Sequence, residues 1–172
     1  LNVARLDLGT FSINPADTDL RFLVKQIITE QKVNLDEKKI HIVEVYEGAV
    51  PGMVPSISVD KQICLVILRT LITNAILFSN NEGSVNVEIC EKAQGEEYGS
   101  KKLVDDSLVV SVTDFGIGIP EAVQAHIFSK FFKASNAINE DSKGAGLGLY
   151  IITLILNATG GDIWFTSKLG VG

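Results

Sequence analysis

Cysteine is scarce in this 172-residue chain: Cys64 and Cys90 each stand alone inside an apolar run, with no CxxC spacing and no neighbouring histidine. That pattern excludes a disulfide scaffold and a thiolate-held metal, and it fits reduced structural thiols in a cytosolic setting. Basic charge is equally thin. The formal net charge is −6, and lysines and arginines stand singly or in pairs, so no cationic stripe is offered to a nucleic-acid backbone. Long hydrophobic runs are missing too. The longest, residues 147–156, is interrupted by Gly148 and Thr153 and falls short of the roughly 20 residues that span a bilayer as helix, so no membrane contact is expected of this segment. Residues 1–10 lack the basic start and apolar middle of a secretory leader. No stretch repeats at a fixed period, and low complexity is confined to two short polar segments, residues 91–106 and 134–143. What remains is a chain that is 46% hydrophobic, enough to bury the core of one domain.

Residues 6–13 alternate apolar and polar and stop at Asn14-Pro15, which predicts a first strand closed by a turn. Leu20, Leu23, Val24, Ile27 and Ile28 follow a helical stripe, with Asp17 or Thr18 as N-cap and an end near Asp36. Residues 40–45 and 57–59 read as strands, with Asp60 capping the next helix, residues 61–79. Ile63, Ile67, Leu71 and Phe78 share one side of that helix, and Asn74 falls on the same side, which directs a carboxamide at the apolar layer. Residues 83–91 and 107–114 alternate as antiparallel strands joined by a polar loop. Leu108, Val110, Val112 and Asp114 share a parity, so an acid ends an inward apolar row. Residues 120–132 read as a short helical segment, residues 144–158 as a glycine-led helix stopped by Gly160-Gly161, and residues 163–167 as a last strand.

An inward polar group is costly unless it is partnered, and nothing nearby in sequence partners Asn74 or Asp114. The Asn74 carbonyl suits a hard cation such as Mg²⁺ shared with phosphates, although a backbone-bonded asparagine would look the same in sequence. Asp114 suits an exocyclic amine such as that of adenine, although a turn-capping acid has the same signature. Gly116 and Gly118 let backbone approach a planar ligand closely, where a plain turn needs only one glycine. Gly144, Ala145, Gly146, Leu147 and Gly148 offer amides at a helix N-terminus, a setting that favours phosphate. Their spacing fits neither a Walker A loop nor a dinucleotide fingerprint.

In this order, the residues resemble the C-terminal catalytic ATP-binding domain of sensor histidine kinases, within the superfamily shared with gyrase, MutL and the ninety-kilodalton heat-shock chaperone. Residues 68–79 are similar to its N box, 114–118 to its G1 box, 127–133 to its F box and 144–149 to its G2 box. The resemblance implies a Bergerat-type α/β two-layer sandwich, with a mixed, mostly antiparallel sheet and helices on one face. It implies that residues 1–14 are the end of a linker from dimerisation helices plus the first strand, and residues 15–172 the catalytic domain, with an ATP lid at about 133–143. It also implies ATP and Mg²⁺ as cofactors. Asn74 would hold the metal, Asp114 the adenine amine, and Gly116 and Gly118 would shape the adenine pocket. Lys133 would stand near the phosphates, which Gly144, Ala145, Gly146, Leu147 and Gly148 would cradle, and Phe128, Phe131 and Phe132 would anchor the lid, ordinary core packing being the plainer role for these rings.

Two positions depart from that family pattern. Thr70 stands where the N box usually has a second asparagine, and Leu77 where a lysine usually reaches the phosphates, so metal and charge stabilisation are reduced. Thr70 also lacks the carboxylate with which the ATP-hydrolysing relatives activate water. The two histidines, His41 and His126, lack the Glu-x-x-x-Pro that follows the family's phosphoacceptor. The resemblance therefore implies a domain that supplies the γ-phosphate to a histidine on a separate dimerisation domain and is silent as an autokinase by itself. A response-regulator receiver would be the onward partner. The expected location is cytoplasmic, with the anchoring of the intact protein left open. A monomeric fragment, trimmed at Gly170-Val171-Gly172 before the family's last strand, is also expected. Two rivals stand beside this reading: a degenerate nucleotide-binding or scaffold module, and an ATPase of the same superfamily.

Overall fold

The computed structural model describes residues 13–48, 56–134 and 145–172. Strand β1 (Ala16–Asp19) runs into helix α1 (Leu20–Glu30), which breaks at Gln31 before α2 (Lys32–Lys38). Next come β2 (His41–Glu47), β3 (Ser56–Val59), α3 (Lys61–Phe78) and β4 (Ser84–Lys92). A small hairpin of β5 (Glu97–Tyr98) and β6 (Lys101–Lys102) precedes β7 (Ser107–Asp114), the one-turn α4 (Glu121–Gln124) and α5 (Gly148–Thr159).

The central sheet has the order β2-β4-β7, with β2 and β4 parallel and β4 and β7 antiparallel. β1 with β3, and β5 with β6, make separate antiparallel pairs, so the sheets are mixed and mostly antiparallel. Period-two alternation gives β4 an inward row of Val85, Val87 and Ile89, all at most 1% exposed. Leu108, Val110 and Val112 of β7 join that row, and α1 and α3 cover it with Leu23, Val24, Ile27, Leu68 and Ile72. The opposite face is also closed in part. There Cys90 and Val109 pack beneath Tyr98 and Leu103, brought over by the β5–β6 hairpin, and Trp164 from the segment after α5. The helix α3 is long and apolar enough to cross a bilayer by length and composition, yet its side chains pack on α1, on the sheet and, through Ile63 and Ile155, on α5.

Several boundaries differ from expectation. Residues 1–12 of the expected linker and first strand lie outside the described residues; the observed first strand begins after Pro15, and Asp17 and Thr18 pair there with Ser58 and Ile57. The α1 cap is therefore Asp19, whose carboxylate accepts from the Arg21 amide at 3.0 Å. The single helix expected to end near Asp36 is two, because position 31, next on the apolar stripe after Ile27, is a glutamine. Asp60 caps α3 as expected, accepting from the amides of Gln62 and Ile63. The segment 120–132 is a single turn of helix followed by consecutive tight turns, with amide-to-carbonyl bonds from His126 to Val123, Ser129 to His126 and Phe132 to Ser129. Residues 163–167 form no ladder, and among the described residues β7 pairs only on its β4 side.

Candidate functional site

The stripe Ile63, Ile67, Leu71, Asn74 and Phe78 does not form the main core. The buried stripe of α3 is Leu65, Leu68, Ile72, Ala75 and Ile76, roughly the opposite side, and the Asn74 stripe lines a cavity of about 1450 Å³. The apolar residues of both stripes are alike in sequence, so periodicity alone does not tell the core side from the cavity side. Asn74 therefore meets open space rather than packed hydrocarbon. Its carboxamide has no hydrogen-bond partner among the described residues, which leaves the oxygen available to a cation.

Asp114, the last residue of β7, lines the same cavity. One carboxylate oxygen accepts from the Gly116 amide at 3.0 Å, which fixes the side chain. Burial raises its pKa above the usual 3.8, and the Gly116 amide only partly offsets that shift. A half-buried carboxylate with one oxygen committed is a fixed acceptor awaiting a donor.

Gly116 is demanded by the end of α3. A Cβ there would sit 1.9 Å from the Phe78 carbonyl oxygen, an atom that also accepts from the Ile117 amide at 3.2 Å. The loop after β7 is thus pressed onto the helix that carries Asn74. Gly118 has φ +62° and faces the Lys168 carbonyl, which a Cβ would approach to 2.2 Å. The C-terminal turn supplies a contact that sequence did not reveal. A Cβ on Gly172 would meet the Asp114 carbonyl oxygen at 2.1 Å, and Gly170 donates its amide to Ile117 at 2.8 Å. The glycines of residues 170–172 signal a turn, but no local pattern names a partner more than fifty residues away.

On the far side, Lys133, Ala145, Gly146, Leu147 and Gly148 line the cavity, whereas Gly144 and the lid segment 135–143 lie outside the described residues. Gly146 has φ +68°, and its close neighbours are the backbones of Phe131 and Phe132. Among the described residues Leu147 precedes α5 without a side-chain cap, so the N-terminal end of a twelve-residue helix, the positive end of its dipole, lies at the cavity. Of the three phenylalanines, Phe128 packs edge-on against Phe165 at 5.8 Å and Phe132 lies 6.4 Å from the His126 ring. Phe131 is not core: it is 65% exposed with φ +62°. The cavity is larger than a small-ligand site needs because it continues along the unpaired edge of β7 to Trp164, where the expected last strand does not dock.

Residues 60–172 match a family model described as histidine kinase-, DNA gyrase B-, and HSP90-like ATPase. Over all 172 residues the chain is 28% identical to the adaptive-response sensory kinase SasA of Synechococcus sp. (strain JA-2-3B'a(2-13)), 41% of whose length it covers. It is also 28% identical to Two-component system protein A of Emericella nidulans, across 99% of this chain and 25% of the relative. The chain thus spans less than half the length of these curated relatives. Full-length ShkA in complex with AMPPNP superposes with a TM-score of 0.74 at 26% identity, covering 98% of this chain and 31% of that one. The nucleotide-free catalytic domain of histidine kinase ThkA gives 0.66 at 22% identity over 88% of this chain and 86% of that one, a likeness of fold alone.

Proposed function

The chain belongs to the family of histidine kinase-, DNA gyrase B- and HSP90-like ATPases, and from that premise we propose that it is the ATP-binding catalytic domain of a two-component sensor histidine kinase. The observation that carries this reading is the pairing of two polar groups in one cavity: the amide of Asn74, without a partner among the described residues, and the half-committed carboxylate of Asp114. Asp114 accepts from the adenine amine, against a floor made by Gly116 and Gly118. Lys133 and the amides of Ala145, Gly146, Leu147 and Gly148, together with Gly144, hold the phosphates. The Asn74 oxygen fits a hard cation that takes its remaining ligands from water and phosphate, so Asn74 is assigned to Mg²⁺. Bound there, the ion would neutralise charge on the phosphates.

These residues bind and orient the γ-phosphate; positioning and charge stabilisation then supply most of the rate of phosphoryl transfer. His41 and His126 are both exposed and lie outside the cavity lining, so the acceptor is assigned to a histidine on a dimerisation domain of the same protein. A receiver domain of a response regulator takes the phosphoryl group onward, and the domain works in the cytoplasm, where ATP is at hand. Alone, this chain has no autokinase activity.

Calorimetric titration with AMPPNP, with and without Mg²⁺, tests the reading. Metal-dependent binding that Asn74→Ala makes independent of Mg²⁺ supports it, and no binding by folded protein at millimolar nucleotide overturns it. Thr70, whose hydroxyl donates to the Val66 carbonyl at 2.8 Å, does not line the cavity, so no second metal ligand is assigned beside Asn74.

A further inference from the structure

The loop between Asp114 and Pro120 is held by side chains that lie outside every nucleotide-facing motif. Ser167 Oγ accepts from the Ile119 amide at 2.9 Å and donates to the Gly172 carbonyl at 2.8 Å. Gln124 Nε2 donates both to the Ile119 carbonyl at 2.9 Å and to the Ser167 carbonyl at 3.1 Å. Between these bonds, Gly170 donates to Ile117 and the Lys168 carbonyl abuts Gly118. Ile119 is thereby bonded through both its amide and its carbonyl, and Ile117 through its carbonyl to Gly170 and through its amide to the Phe78 carbonyl at the end of α3.

A recognition loop discriminates between ligands only if its acceptor cannot shift to suit the wrong one, because a polar mismatch is costly only where the site stays rigid. We infer that Ser167 and Gln124 are positioning residues for base selectivity: they clamp the loop that carries Asp114, Gly116 and Gly118, and so make the site prefer adenine to guanine nucleotides. The inference rests on the proposed adenine role of Asp114. Neither side chain is assigned a contact with the ligand; each acts through the backbone of residues 117–119 and 172.

The test is calorimetric titration of the 172-residue chain with AMPPNP and GMPPNP, in wild type, Ser167→Ala, Ser167→Thr and Gln124→Ala. Loss of one or two such bonds is expected to narrow the AMPPNP-over-GMPPNP preference by about three- to tenfold. Ser167→Thr, which keeps the hydroxyl, restores the preference, and the dependence on Mg²⁺ stays unchanged because Asn74 is untouched. A purely structural clamp would lower the melting temperature and leave the preference of Ser167→Ala and Gln124→Ala at the wild-type value, which overturns the inference. If Ser167→Ala fails to fold, Gln124→Ala decides alone, since it leaves the Ile119–Ser167–Gly172 bonds in place. Failure of the underlying reading is separable: a wild-type chain that binds both nucleotides equally, or neither, overturns the adenine assignment itself.

Discussion

The ammonium of Lys38 lies 2.5 Å from the carbonyl oxygen of Leu77, thirty-nine residues along the chain, and donates also to Ile76 at 3.3 Å and Ser79 at 3.1 Å. A helix leaves its last carbonyls unpaired, and α3 has no basic residue in its last turn to answer them. Lys38 supplies that charge from α2, while the remaining carbonyl, Phe78, is taken by Ile117. The end of α3 is therefore fully satisfied where it meets the loop of Asp114.

Lys38→Met removes the charged donor and leaves three carbonyls with a weaker set of partners. The expected cost is about 1–2 kcal/mol, read as a lower urea midpoint with an unchanged slope. An unchanged midpoint would show that water serves those carbonyls equally well.

Gly148 and Thr70 form a second testable contact, since a Cβ on Gly148 would come within 2.8 Å of the Thr70 methyl. Gly148→Ala is expected to destabilise the fold by about 1–2 kcal/mol through overpacking. Thr70→Ser removes that methyl, so the double variant recovers most of the loss. A double-mutant cycle on thermal or urea melts measures the coupling, and strict additivity would refute the contact.

The reach of the sequence follows the range of the interactions. Asp60 at the head of α3, the rows of β4 and β7, and Gly160 at the end of α5 depend on neighbours a few residues away, and each was legible. The family boxes brought Asn74, Asp114, Gly116 and Gly118 together on paper, and all four lie at the cavity or directly behind it. What escaped is non-local: β1 pairing with β3, Lys38 reaching α3, and Ser167 reaching Ile119. The side of α3 that carries the core also escaped, because both its stripes are apolar and only the partners on α1 and the sheet decide between them.

Leu77 lines the cavity at the position where the resemblance leads one to expect a lysine. If the domain is a weakened kinase, Leu77→Lys restores a charge near the phosphates and raises phosphoryl transfer to a separately supplied histidine-bearing dimerisation domain by about tenfold. A single-turnover assay with labelled ATP measures this. No transfer from either protein, despite nucleotide binding, would favour the scaffold reading.

Asp114 sets recognition against stability. Because burial raises its folded pKa above 3.8, the folded state holds this proton more tightly than the unfolded chain does. Its contribution to stability is therefore complete below 3.8 and is lost as pH rises through the folded value, so at neutral pH the fold carries a buried carboxylate at a cost. Asp114→Asn keeps an oxygen for the Gly116 amide and removes the charge, so its urea midpoint at neutral pH should equal or exceed that of the wild type. That advantage should vanish as the solution is acidified towards 3.8, where wild-type Asp114 is itself becoming neutral. Affinity moves the other way: the asparagine can present a donor to the adenine amine, and binding of AMPPNP should fall by about tenfold or more. A variant that is both less stable at neutral pH and unchanged in affinity would make Asp114 a structural turn residue, and the cavity would need another adenine ligand.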